Sequence, residues 1–304
     1  MDTDDVVVTT GGQQVIDLVV KTLIDPGDVV IAEGPTYPGA VPTFNAYQAD
    51  VVQIDMDSEG MRVDLLEETI DALEREGRRL KFIYTVPTFQ NPAGATMSLA
   101  RRRRLVEIAN ERELLVLEDN PYGLLRYEGE PLPPLYRLDG GVYVMYLGTF
   151  SKILSPGIRL GWVVAPPPCS RRSTWASRVR TCAPPRLSQL MVQAYFERGD
   201  WQEYVQALTG VYRPRRDAML EALGRVLPAR GGVDPAGREA CSCGPRCPTT
   251  STPPTCSPAH CATTWPSFPD RARSSTAGAE ARCGSTSRPP ARTGSGRASA
   301  GSGR

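Results

Sequence analysis

The sequence predicts an α/β fold: a seven-stranded, mainly parallel sheet with helices on both faces, joined to an incomplete second, smaller domain. Three observations predict it. β-Branched runs alternate with amphipathic stretches through residues 1–168, and strands separated by helices favour a parallel sheet covered on both sides. Residues able to do chemistry recur just beyond the predicted strands, at Gly11-Gly12, Asn91, Asp119 and Thr149 to Lys152, where such sheets gather their ligands. Residues 235–304 contain no Val, Ile, Leu, Met or Tyr, so they cannot bury enough apolar surface to offset the entropy of ordering.

The elements follow in order. Val6 to Thr9 is a short β-branched strand ending at Gly11-Gly12, and Gln13 opens a helix with Val15, Leu18, Val19 and Leu23 on one side. Asp25-Pro26-Gly27-Asp28 is a turn before a second strand, Val29 to Ala32. A segment punctuated by Pro and Gly, Glu33 to Pro42, leads to a third strand, Val51 to Ile54. Val63 to Glu76 is an amphipathic helix carrying Leu65, Leu66, Ile70 and Leu73. Phe82 to Val86 is a fourth strand closed by Pro87. Ser98 caps a helix running through Asn110, with four arginines in its early turns. Leu114 to Leu117, Val142 to Leu147 and Leu160 to Val164 complete the sheet. Gln189 to Phe196 and Trp201 to Leu227 are helices leading into the second domain, with a kink expected at Pro214.

Four segments follow: a large domain over 1–168, an irregular stretch over 169–185, helices over 186–234 and a low-complexity tail over 235–304. All eight cysteines fall at or after Cys169. Cys241, Cys243, Cys247, Cys256, His260 and Cys261 have no regular paired-ligand spacing and no flanking apolar residues, so no metal site is expected. A net charge of +1 excludes a global electrostatic case for nucleic acid or an anionic membrane. No apolar run approaches the roughly 20 residues of a spanning helix, and the acidic start Met-Asp-Thr-Asp-Asp is unlike a signal peptide. A cytoplasmic protein is the expectation.

Only three lysines stand against 32 arginines, and only Lys152 sits in a strand-end loop among Gly, Ser and Thr. A lysine that forms a Schiff base needs a reachable amine near other cationic groups. Taken alone, a loop lysine is most often a solvated charge. Thr149, Ser151 and Arg159 nearby offer two hydroxyls and a planar guanidinium, which suit a phosphate. Gly12-Gln13 at a helix start adds backbone N–H groups and the positive dipole end, although a plain turn explains the glycines equally well. Asp119 after an apolar strand could ligate a metal, cap the next turn or face a cationic ring nitrogen. Asn91 before Pro92 is also an ordinary turn signal.

Five ordered motifs carry a resemblance: Thr10-Gly11-Gly12-Gln13-Gln14, Gly34-Pro35-Thr36-Tyr37-Pro38-Gly39, Pro87-Thr88-Phe89-Gln90-Asn91-Pro92, Glu118-Asp119-Asn120-Pro121-Tyr122, and Gly148-Thr149-Phe150-Ser151-Lys152 with its continuation to Gly161. The chain resembles the fold type I pyridoxal-phosphate enzymes, specifically the class I/II aminotransferases, over residues 5–168 and more loosely over 186–230. The subgroup it looks most like holds aminoadipate and kynurenine aminotransferases, with the effector domains of aminotransferase-like bacterial regulators close by. The resemblance implies that Lys152 carries pyridoxal 5'-phosphate as a Schiff base and shuttles a proton at the substrate α-carbon. It implies that Asp119 pairs with the protonated ring nitrogen, which lets the ring accept electrons. Asn91 and Tyr122 would hydrogen-bond the phenolic oxygen, and Tyr37 would stack on the ring. Gly12, Gln13, Thr149, Ser151 and Arg159 would hold the phosphate. It further implies amino-acid and 2-oxo-acid substrates and a homodimer.

The sequence also departs from that family. An N-terminal segment that covers the active site, and a small domain whose arginine grips the substrate carboxylate, are both expected to be missing. Residues 169–185 and 235–304 are rich in Ala, Arg, Pro, Ser, Thr, Cys and Gly, the composition of GC-rich coding DNA read out of frame. A native disordered tail is the rival reading. A regulator domain that binds the cofactor without turnover, or a lyase or decarboxylase on the same fold, are the functional alternatives.

Overall fold

A computed structural model of the chain describes residues 5–166 and 186–226. The stretch 169–185 and the tail 235–304, with its cysteine cluster, lie outside the described residues. In chain order the elements are β1 (Val6–Thr9), α1 (Gly12–Leu23), β2 (Val29–Gly34), α2 (Val41–Ala46), β3 (Asp50–Asp57), β4 (Gly60–Met61) and α3 (Val63–Arg75). They continue with β5 (Leu80–Thr85), α4 (Leu99–Glu111), β6 (Leu115–Asp119), α5 (Leu135–Asp139), β7 (Val144–Thr149) and β8 (Gly161–Val164). Two further helices, α6 (Arg186–Glu197) and α7 (Trp201–Val226), complete the described chain.

The sheet has the order β1-β8-β7-β6-β5-β2-β3-β4. Its centre is parallel, through the pairs β2–β3, β2–β5, β5–β6 and β6–β7. Strand β8 alone runs against both of its neighbours, β7 and β1. Consequently β1 points the same way as β7, and one register line joins Thr9, Gly161 and Thr149. The sheet therefore holds eight strands where seven are expected. The additional strand, β4, is a two-residue return that pairs Met56 with Met61 and Asp57 with Gly60, too short to show any alternation of its own. Strands β6 and β7 each extend two residues further than their apolar runs, so Asp119 and Thr149 are the last residues of strands and not loop residues.

Side-chain alternation divides the core between the two faces. From β5, Phe82 and Tyr84 join Val30, Ala32, Leu117 and Leu147 under α1 and α2. Ile83 points the other way, with Ile31, Val116 and Val144, against Leu66 and Ile70 of α3 and Leu105 and Ile108 of α4. Helix α1 buries Val15, Ile16, Leu18, Val19 and Val20, as its period predicts. Ser98 caps α4 by accepting a hydrogen bond from the Arg101 amide. Helix α2 lies in the Pro- and Gly-punctuated segment and buries Phe44 against the edges of Phe82 and Tyr84. Helix α7 continues through Pro214. Helices α6 and α7 meet the turn that follows β7, where Phe150 packs 5.3 Å from Phe196 and Ile153 clusters with Leu125 and Val205. Among the described residues no helix is long and apolar enough to cross a membrane.

Candidate active site

The carboxyl ends of β1, β5, β6 and β7 open onto one cavity. All ten residues singled out from the sequence line it: Gly12, Gln13, Tyr37, Asn91, Asp119, Tyr122, Thr149, Ser151, Lys152 and Arg159. They arrive from five strand ends or the loops after them, those of β1, β2, β5, β6 and β7. This convergence is what a parallel sheet makes available and a single loop cannot.

One wall suits an anion. Helix α1 begins at Gly12 with no side-chain cap at its N-terminus, which leaves amide donors and the positive dipole end facing the cavity. Gly11 has φ 82 and ψ 168, and a Cβ there would stand 2.3 Å from Nη2 of Arg159. Glycine is required both for that backbone and for the guanidinium to lie over the helix start. Arg159 reaches this place from its own left-handed backbone, φ 52. Its Nη2 donates to the Thr10 carbonyl at 3.3 Å, and its Nη1 donates to Pro156 O at 3.2 Å and to Ser151 Oγ at 3.4 Å. Thr149 Oγ1 donates to the Leu160 carbonyl at 3.1 Å and accepts from the Ser151 amide at 3.2 Å. Gly161 closes the arrangement, because a Cβ on it would meet Gly11 C and Gly12 N at 2.7 Å. The side chain of Gln13 turns away: its Nε2 donates to Gly39 O at 2.8 Å and Thr43 Oγ1 at 3.0 Å. Only the Gln13 backbone remains for an anion, and its side chain instead ties α1 to the Tyr37 loop.

The opposite wall carries a buried acid. Asp119 is 6% exposed, and burial raises its carboxyl to about 6 against the opposing hydrogen bond from Tyr84. Tyr84 Oη donates to Asp119 Oδ2 at 2.7 Å. Burial, and then the negative charge of Asp119, hold the Tyr84 phenol well above its ordinary range. Tyr37 lies between the walls: burial and Asp119 raise its phenol, while Arg159 lowers it. Lys152 is exposed to the cavity, with Nζ 5.9 Å from the centre of the Tyr122 ring. The other lysines are accounted for elsewhere, Lys21 on α1 and Lys81 in an ion pair of 3.0 Å with Asp28.

Three polar residues around this site escape a reading of the sequence. Tyr84, Glu33 and Gln90 are all fully buried. Tyr84 and Glu33 sit within apolar strand runs, where an aromatic or a lone polar residue reads as a strand former or a strand boundary. Among the described residues no group of His, Cys, Asp and Glu side chains is placed to hold a metal ion, so Asp119 has no partner ligands of that kind.

The geometry fits pyridoxal phosphate in its donor set: an amine, an anion cradle with a glycine-cleared helix start, and a buried carboxylate for a cationic ring nitrogen. Comparison with known proteins points the same way. The family model described as aminotransferase class I and II matches residues 1–235. Aromatic-amino-acid aminotransferase 1 of Thermococcus litoralis is 46% identical over 224 residues, covering 74% of this chain and 54% of the relative. The chain thus spans about half the length of the curated relatives it matches. The crystal structure of Pyrococcus horikoshii kynurenine aminotransferase, in complex with PMP and with KYN as substrates, superposes with a TM-score of 0.72 at 43% identity, covering 74% of this chain and 55% of that one. The α-aminoadipate aminotransferase of Thermus thermophilus, complexed with N-(5'-phosphopyridoxyl)-L-leucine, gives a TM-score of 0.69 at 36% identity, covering 75% of this chain and 58% of that one.

Proposed function

The chain belongs to the class I and II aminotransferases, and from that premise we propose that it binds pyridoxal 5'-phosphate and transfers an amino group between an amino acid and a 2-oxo acid. The observation that carries the reading is the meeting, in one cavity, of the Lys152 amine, the buried Asp119 carboxyl and the Arg159 cradle. The cofactor supplies an electron sink for the bonding electrons of the substrate α-carbon.

The protein's own groups divide the remaining work. Lys152 supplies the amine that tethers the cofactor, then holds and moves the proton at the α-carbon, within reach because its side chain is exposed to the cavity. Asp119, a buried carboxyl at the cavity, would face the ring nitrogen and keep a proton on it. Tyr84 steadies that carboxylate from behind. Tyr37 would cover one face of the ring, and Asn91 and Tyr122 would donate toward its phenolic oxygen. The amides of Gly12 and Gln13, with Thr149, Ser151 and Arg159, would bind the phosphate. The same reading takes 1–168 as the cofactor domain and 186–234 as helices leading to a small domain, in a cytoplasmic homodimer. It takes 169–185 and 235–304 as out-of-frame stretches, which the encoding nucleotide sequence tests directly.

An absorbance titration of the purified chain with pyridoxal phosphate tests the central claim. A visible band in the wild type that is lost in Lys152→Ala supports it, and no band in the wild type sinks it. Product analysis with a panel of amino acids and 2-oxoglutarate then separates transfer from elimination or decarboxylation.

A further inference from the structure

Glu33 is the last but one residue of the buried parallel strand β2 and does not line the cavity, yet it is only 1% exposed. Strand alternation sets it on the opposite face of the sheet from Asp119. Ala32 and Tyr84 share the core under α1, while Ile31 and Ile83 share the core over α3 and α4, so Glu33 and Thr85 project with the second set. Among the described residues every hydrogen bond to its carboxyl comes from a neutral donor. Thr85 Oγ1 donates at 2.5 Å, the Val86 amide at 3.1 Å and Gln90 Nε2 at 3.2 Å. Among the described residues Glu33 makes no ion pair. A buried carboxyl is ordinarily held by a cation or absent, so a role for it is needed.

The partner Gln90 supplies that role. Its side chain is 0% exposed and spends its amide on two different loops. Nε2 donates to the Pro35 carbonyl at 2.7 Å as well as to Glu33, and Oε1 accepts from the Ala93 amide at 2.7 Å. Its backbone closes the same turn, with Gln90 N donating to Ala95 O at 2.9 Å and Gly94 N donating to Gln90 O at 2.6 Å. Pro35 lies two residues before Tyr37, and Gln90 immediately precedes Asn91. The two loops that deliver Tyr37 and Asn91 to the cavity are therefore joined beneath it by one buried pair.

We propose that Glu33 and Gln90 form a positioning clamp that sets Tyr37 and Asn91 on the cavity, acting through hydrogen bonds and not through the charge of Glu33. The part that concerns the cofactor rests on the function proposed above. A glutamine at position 33 can reproduce the pattern. Its oxygen would accept from the Val86 amide and Gln90, and its amide would donate to a rotated Thr85 hydroxyl. A leucine at 33 can reproduce none of it and leaves two buried donors unmatched.

Hydrogen exchange on the full apo chain tests the clamp without any cofactor. Glu33→Leu and Gln90→Leu should speed exchange about tenfold or more in residues 34–40 and 87–96, while α3 and α4 keep their protection. Glu33→Gln should stay near wild type. Should Glu33→Leu fail to fold, Thr85→Val and Gln90→Met, each removing one side of the clamp, carry the same readout. Titration with pyridoxal phosphate follows. Glu33→Leu should weaken uptake about tenfold in the wild-type background and clearly less in an Asn91→Ala background, where only the Tyr37 half of the clamp remains to be lost, because a residue acting through another is not additive with it. Three results overturn the proposal: a Gln variant as damaging as Leu, an exchange increase spread evenly through the sheet, or strict additivity with Asn91→Ala. If the wild type takes up no pyridoxal phosphate, the proposed function fails, and the exchange experiment still decides the clamp.

Discussion

Tyr84 Oη and Asp119 Oδ2 lie 2.7 Å apart, on adjacent parallel strands, with both residues buried. The phenol of β5 is thus the donor that offsets the burial of the carboxylate at the end of β6. Tyr84→Phe keeps the ring's contact with Phe44 but leaves one carboxylate oxygen bare. A loss of about 1–3 kcal/mol in folding stability is expected by urea denaturation. The same variant should raise the Asp119 carboxyl further, so that uptake of pyridoxal phosphate weakens more at pH 6 than at pH 8. Equal weakening at both pH values would mean that Tyr84 acts on packing alone.

Gly11→Ala is expected to break the anion cradle. The added methyl would collide with the Arg159 guanidinium, and alanine disfavours φ 82 with ψ 168. Affinity for inorganic phosphate, measured as competition against pyridoxal phosphate, should fall about tenfold or more. Arg159→Lys should fall less far than Arg159→Ala, since lysine retains the charge and loses the planar fork.

Arg102 is 0% exposed, although it sits in a run of four arginines. Its Nε donates to Met97 O at 2.9 Å, its Nη1 to Pro133 O at 3.2 Å, and its Nη2 to Pro87 O at 2.7 Å and Thr88 Oγ1 at 2.8 Å. Burial lowers it to about 10, which still leaves it charged at neutral pH. Arg102→Met strands several buried acceptors and should cost about 2–4 kcal/mol. Arg102→Lys should recover little of that, and a near-wild-type urea midpoint for Lys would show that the fork is dispensable.

The pH profile of the apo chain should slope downward from acid to neutral. Burial raises the carboxyls of Glu33 and Glu118 to about 7 and that of Asp119 to about 6. In the unfolded chain these groups titrate near their ordinary values, roughly 4. Between those limits the folded state binds more protons than the unfolded one. Stability is therefore greatest below the unfolded values and is lost as pH rises through the folded ones. Chemical denaturation should give a lower midpoint at pH 8 than at pH 5, with a shallower slope in Glu118→Gln. A rising profile over that window would sink the assignment of these carboxyls as buried and protonated.

The parts of the site that were legible in the sequence share a property. Lys152, Asp119, Asn91 and Gly11-Gly12 are polar or glycine residues at the ends of apolar runs, so a period and its interruption expose them together. Tyr84, Glu33 and Gln90 work by sheet neighbourhood instead. Tyr84 meets Asp119, and Glu33 meets Thr85, because the order places β2, β5 and β6 side by side, and order is not written in any single strand. The same limit explains Arg102: a row of four arginines reads as a solvated face until the loops at Pro87 and Pro133 close over one of them. Helix α2 was hidden for a local reason, since Pro42 falls in its first turn, where proline is tolerated, and reads there as a loop signal.

The reversed strand β8 has a consequence for the order of assembly. Among the described residues strand β1 has no sheet neighbour except β8, and Val6 pairs with Val164. Strand β1 must therefore wait, during synthesis, until nearly the whole sheet has emerged before it can dock. The cradle formed by Gly11, Gly12, Thr149 and Arg159 is then among the last features to appear, closed by the contacts of longest loop in the domain, which are the slow ones to form. Ribosome-released chains ending before Gly161 should hold the central parallel strands yet show no phosphate affinity, and that affinity should switch on over the few residues that complete β8.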